Sequence, residues 1–192
     1  MFKISKIKGI GDVAAFAQKT LDVPGGVAIK VAELGAKIVE AGTPIAKGSD
    51  NLYHVCKTAV LAANLAADGT TITVKKGHHF IVGDIVTPKA NSKAYAITAI
   101  TTNQSDSTLD DITIGTAIGA MSSGDVLYQG NTAVASSSKL KYTAEALVGE
   151  AHTVEANSNM FASAVLAGTV YGNRIPALGE LHKAGLKGIF VV

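Results

Sequence analysis

TITVKKGHHFIVGDIV, residues 71–86, is echoed by DITIGTAIGAMSSGDVL, residues 111–127, and the likeness of the two stretches decides how the chain is built. Each opens with an alternating β-branched run, passes through a glycine-containing loop, and reaches Gly-Asp ahead of a second β-branched run. Ile72 and Val74 correspond to Ile112 and Ile114 at an offset of 40, and Gly83 and Asp84 to Gly124 and Asp125 at an offset of 41. One residue has slipped within the loop, and the pair reads as a duplicated β-loop-β unit. In both copies glycine would supply the positive dihedral of a tight turn while aspartate satisfies the turn amides.

Working outward, YAITAITTNQSDSTLDDITI (95–114) predicts a strand, a polar turn and a second strand, with residues 103–111 as an exposed hairpin tip able to bond its own backbone. QGNTAVASSSKLKY (129–142) reads as a connector of small polar residues. Upstream, NLYHVCKTAVLAANLAA (51–67) fits either a helix, by its alanines, or a strand crossing a sheet. In VAIKVAELGAKIVEAGTPIAKG (27–48), short β-branched pieces punctuated by Gly35, Gly42, Pro44 and Gly48 suit strands and turns. The first 22 residues predict an arm, with Asp12 capping a short helix over Val13 to Lys19. In the tail, FASAVLAGTVYG (161–172) predicts a buried strand. Pro176 suits the first turn of a short helix over ALGELHKAG that ends near Gly185, and IFVV (189–192) predicts a final strand.

The bulk numbers narrow the function classes. A chain of 192 residues supports one domain with an insertion or two small ones. Lys plus Arg total 17 against 15 acidic residues, and Arg174 is the only arginine, so the bidentate forks that hold bases and phosphates are nearly absent and no nucleic-acid partner is expected. Cys56 is alone, which leaves no internal disulfide. No apolar run reaches the ~18 residues of a membrane span, and no signal-peptide core is expected at the N-terminus.

The reactive residues do not assemble into a known chemistry. His78 and His79 are adjacent, so in an extended chain their rings leave on opposite faces, and His54, His152 and His182 lie in separate segments without ligand spacing. Asp84 and Asp125 invite a reading as paired carboxylates of a metal-dependent or acid-base hydrolase, but their repeated Gly-Asp setting is accounted for by the turn. His54 and Cys56 would share one face of a strand without a third catalytic group. The chain is therefore expected to be non-enzymatic, with no cofactor and no metal.

VPGGVAIKVAELGAKIVEAGTPIAKG (23–48) and ALVGEAHTVEANSNMFASAVLAGTVYGNRIPAL (146–178) resemble the head decoration and head-fiber proteins of tailed bacteriophages. In that resemblance Gly42, Thr43 and Pro44 occupy a turn between opening strands, and Gly168 to Val170 a late strand ahead of a terminal helix. It implies a mainly β fold with short helices, built on a discontinuous β-barrel-like or β-tulip-like base (23–56 and 134–192) preceded by the arm (1–22), and the duplicated unit, where the chain departs from a compact decoration protein, is expected to be an inserted small β domain (57–133). It implies an auxiliary capsid protein on the outer surface of the virion, a homotrimer bound to the major capsid protein. Ile4, Ile7 and Ile10 are then candidate shell anchors. The alternative is a head fiber or adhesion module binding host glycan, with Tyr95 and Tyr128 as exposed contacts on the insert.

Overall fold

A computed structural model describes residues 14–155 and 158–192. Ile4, Ile7, Ile10 and Asp12 lie outside the described residues. The fold is mainly β with little helix, and its strands divide between two large sheets.

The first sheet draws on both ends of the chain. Its order is β1 (Phe16–Asp22), β16 (Ala164–Val170), β13 (Ala146–Val148), β4 (Pro44–Lys47), β5 (Tyr53–Val55), β2 (Val27–Ile29) and β15 (Met160–Ala162), with β17 (Gly188–Val191) added in parallel to β16. Alternate residues of its central strands enter different cores. Ile45, Val55, Ala146, Val148 and Ala164 pack on one face, and Ala46, Cys56, Leu147 and Val165 on the other. Burial on both faces explains why these strands read as continuous apolar runs rather than alternating ones. A two-stranded ladder, β3 (Ile38–Val39) with β14 (His152–Thr153), contributes Val39 to the first core. The helix α1 (Gly179–Lys183) is flanked by Leu178 and Leu186, which enter the second.

Two expectations at the ends are corrected. Residues Phe16–Asp22 form β1 and not a helix, because pairing with β16, from Phe16 opposite Val170 to Asp22 opposite Val165, satisfies backbone groups that a two-turn helix would leave open. The stretch 16–22 is thus part of the sheet and not of a free arm. Pro176 lies three residues before α1, not in its first turn.

The second sheet is built from the middle of the chain, in the order β6 (Thr58–Val60), β11 (Val126–Gln129), β8 (Ile85–Thr87), β9 (Ser92–Thr102), β10 (Leu109–Ile114) and β7 (Thr71–Lys75). Leu61 bridges Val74 and the Ala62 amide donates to the Thr73 carbonyl at 2.9 Å, so the last strand returns to the first and the sheet curls on itself. Leu61, Ile72, Val74, Phe80, Val86, Ile97, Ile112, Ile114 and Leu127 fill it. The expected connector 129–142 also carries a strand, β12 (Val134–Ser138), paired with β9, so its serines belong to the sheet. The ambiguous stretch 51–67 forms β5 and β6, because both strands find partners.

The duplicated stretches are related by a local two-fold axis. β7 pairs antiparallel with β10, Ile72 opposite Ile112, and β8 pairs antiparallel with β11, Val86 opposite Gln129. The symmetry reaches one strand further than the sequence likeness. Val60 opposite Val126 is matched by Ala96 opposite Ile85, and Ala59 opposite Leu127 by Tyr95 opposite Val86. The repeating unit is therefore three strands, β6-β7-β8 and β9-β10-β11.

The Gly-Asp turns are the most closely matched parts of the two units. Gly83 has φ +93° and Gly124 φ +91°. Asp84 accepts the Ile81 amide at 3.0 Å and Asp125 the Ser122 amide at 2.8 Å. Each turn is clamped by a strand of the opposite unit. Gly83 donates to the Ile97 carbonyl and Ile97 to that of Asp84, just as Gly124 donates to Leu61 and Leu61 to Asp125. A separate turn in the first sheet uses Gly42 at φ +83°, where a Cβ would stand 2.2 Å from the Ile175 side chain, and leads into Pro44 at the start of β4.

Candidate functional site

The seam between the two sheets holds the densest polar chemistry of the described residues. The chain crosses it at Cys56 and Lys57. The Cys56 amide donates to Pro44 of the first sheet at 2.8 Å, and the Lys57 carbonyl accepts the Gln129 amide of the second at 3.2 Å. With the backbone held on both sides, the Lys57 side chain is carried inward and is wholly buried.

Lys57 Nζ lies 2.7 Å from Asp84 Oδ2 and donates also to the Glu33 carbonyl. Asp84, only 9% exposed, is enclosed from three sides: Lys57 and the Ile81 amide at Oδ2, and Gln129 Nε2 at Oδ1, 2.9 Å away. The first Gly-Asp turn thus has a second role as counter-ion to a lysine at the crossing point. Burial holds Lys57 below its ordinary pKa despite the opposing pull of Asp84.

From Glu33 a polar chain runs to the surface. Glu33 Oε1 lies 2.7 Å from His54 Nδ1, His54 Nε2 lies 3.0 Å from Asp50, and Asp50 pairs with Lys30 at 3.0 Å. Tyr142 stacks on the His54 ring, centroids 4.5 Å apart. His54 and Lys30 hold the Asp50 carboxyl well below the usual carboxylate range. Cys56, two residues from His54, faces the apolar core instead. Burial, reinforced by Glu145 and Glu33, pushes its thiol up, which opposes formation of a nucleophilic thiolate.

The histidine pair lies in the same seam. Both rings are largely buried, His78 Nδ1 accepts the Phe80 amide at 3.2 Å, and the Gly35 amide donates to the His79 carbonyl at 3.1 Å. A Cβ on Gly35 would stand 2.3 Å from the Phe80 carbonyl oxygen, so only glycine lets the two backbones approach this closely. Residues 78–80 are therefore a packed joint rather than a solvated loop. Burial pushes His79 down to about 4 and lowers His78. Among the described residues no three His, Cys, Asp or Glu side chains are grouped to hold a metal ion.

Asp84 and Asp125 are not brought together. With Thr87 opposite Tyr128, Asp84 comes level with a point six residues beyond Asp125 on the neighbouring strand, roughly 20 Å away at ~3.3 Å per residue. Asp125 instead borders an open cleft of about 740 Å³, with Lys89, Tyr128, Glu180 and Lys183. Tyr128, expected as an exposed contact, is buried: its ring meets His182 edge-on at 5.4 Å, and a Cβ on Gly179 would stand 2.2 Å from its hydroxyl. Tyr128 closes the other end of the seam, where Thr58 Oγ1 also donates to the Ala177 carbonyl at 2.5 Å. Tyr95 is half-buried against the core of the second sheet.

Sequence reasoning missed Lys57, Gln129 and Glu33. Lys57 did carry a signal, being the one acid or lysine in the apolar stretch YHVCKTAVLA. Gln129 and Glu33 carried none, since their role depends on which strand lies opposite Asp84. Comparison of the chain with protein-family models, with curated proteins and with solved structures gives no match.

Proposed function

We propose that the chain is an auxiliary decoration protein of a tailed-bacteriophage head, binding the outer surface of the shell through non-catalytic contacts. In this reading the first sheet is a discontinuous, β-tulip-like base that grips the shell, and the curled sheet of the repeats projects from it. The observation that carries the reading is the distribution of exposed apolar side chains. Leu21 lies on β1, Phe161 on β15, and Phe190 and Val191 on β17, with Phe161 and Phe190 respectively 71% and 70% exposed, whereas the second sheet exposes one large apolar side chain among the described residues, Val82 in the first Gly-Asp turn. These strands have unpartnered outer edges among the described residues, and open edges with apolar side chains are surfaces that another chain covers. All three belong to the first sheet, together with the segments that resemble decoration proteins.

Three copies at a symmetry axis would multiply modest contacts of this kind into lasting attachment to the major capsid protein. The seam supports the same role, since an ion pair and close backbone packing hold the projecting sheet to the base. Light scattering on the eluting protein is expected to show a trimer, and the protein is expected to co-sediment with phage shells stripped of accessory proteins. Phe161→Asp and Phe190→Asp should abolish co-sedimentation while leaving the circular-dichroism spectrum intact. A folded monomer that stays in the supernatant overturns the proposal.

A further inference from the structure

Lys57 and Asp84 are placed for a reaction with each other. Nζ and the carboxyl group are in contact at 2.7 Å, the lysine side chain is wholly buried, and the groups belong to elements fixed independently of one another. Burial of this degree disfavours the charged amine, and the 2.7 Å contact gives its proton a direct path to the carboxyl oxygen. The surroundings then match what condensation requires. Gln129 Nε2 donates to Oδ1 at 2.9 Å, where negative charge would grow as the carbonyl carbon is attacked. The Ile81 amide donates to Oδ2 at 3.0 Å, where a leaving hydroxyl would need support. The Glu33 carbonyl accepts from Nζ and so fixes the amine from behind.

We propose that Lys57 and Asp84 become joined, after folding, by an intramolecular isopeptide bond. The lone pair of the neutral Nζ attacks Asp84 Cγ, forming the N–C bond as the carbonyl π pair moves onto Oδ1 beneath the Gln129 amide. A proton passes from nitrogen to the Oδ2 hydroxyl, the oxygen already touching Nζ. The Oδ1 pair then re-forms the carbonyl, the Cγ–Oδ2 bond breaks, and water departs. One amine and one carboxylic acid give one amide and one water, and nothing is oxidised or reduced. Holding the reactants in contact replaces the external activation that such a condensation needs in solution. The product ties the crossing point between the sheets to the first Gly-Asp turn and, unlike a disulfide, resists reduction. The bond is independent of shell binding.

Intact-mass spectrometry of the folded, purified chain under denaturing conditions tests the bond. The expected mass is that of the sequence less one water. After trypsin, cleavage beyond Lys57 should be lost and the peptide carrying Lys57 should be joined to the peptide carrying Asp84. Lys57→Arg and Asp84→Ala should both have the full sequence mass. A wild-type chain at full mass overturns the proposal. So does a water loss confined to the Asp84–Ile85 peptide with normal cleavage at Lys57, which marks a cyclic imide. The decisive reading is on the wild-type chain and does not depend on any variant folding.

Discussion

Asp84 and Asp125 occupy equivalent turns and have unequal neighbours. Each accepts one turn amide, but Asp84 also faces Lys57 and Gln129, while Asp125 stands exposed beside the cleft. Asp125→Ala removes one exposed hydrogen bond and should cost about 1 kcal/mol in a urea titration. Asp84→Ala leaves a lysine buried without its partner and removes the proposed cross-link, and should cost at least about 3–5 kcal/mol. Equal losses at the two positions would show that Lys57 is solvated in solution. The turn chemistry of both residues was legible, since glycine tolerates the left-handed backbone and the aspartate beside it can accept a turn amide, both local properties. What distinguishes them was not, because the difference lies in residues 27 positions upstream and 45 downstream of Asp84 that only the fold brings near.

At the scale of elements, what could be read depended on how local the pairing is. The hairpin of β9 and β10 was plain from 95–114, and its tip is self-contained. Asn103 accepts the amides of Ser105 and Asp106 at 3.0 Å and donates to Asp111, and Asp106 accepts the Thr108 amide. Four Gly or Ser residues inserted between Gln104 and Ser105 should cost no more than about 2 kcal/mol, since the Asn103 bonds they disrupt are exposed and loop closure grows only slowly with length. Removing residues through Leu21 deletes most of β1, exposes the edge of β16, and should lower the thermal midpoint and bring aggregation. Comparable midpoints for the two variants would mean that β1 contributes nothing to the sheet. β1 escaped detection because its burial pattern is nearly all exposed, so only its long-range partner identifies it as a strand. β6 and β9 escaped detection as repeats for a different reason. Unequal loops move the offset from 36 at Leu61 and Ile97 to 40 and then 41, which breaks a fixed period.

Across the whole molecule the buried histidines set the response to acid. Burial pushes both His79 and His182 from 6.5 down to about 4. In the unfolded chain these rings take up protons near pH 6.5, and in the folded chain only near 4, so the unfolded state binds more protons in between. Their contribution to stability is thus complete above about pH 6.5 and falls as the pH drops towards 4, by an amount of order 3 kcal/mol for each ring. Urea midpoints measured from about pH 7.5 to about pH 4.5 should decline, and less steeply in His182→Phe, which keeps an aromatic ring against Tyr128. An identical slope in the variant would mean that His182 is already hydrated in the folded protein.

Twin halves employed unevenly carry an evolutionary consequence. Only the Asp84 unit contributes its aspartate to the joint with Lys57, so substitutions around that turn disturb the connection to the rest of the molecule. Its twin at Asp125 is released from that duty while the strands beneath it stay fixed by symmetry. The Asp125 end is accordingly the place where new residues, and new surface properties, can accumulate without loosening the architecture.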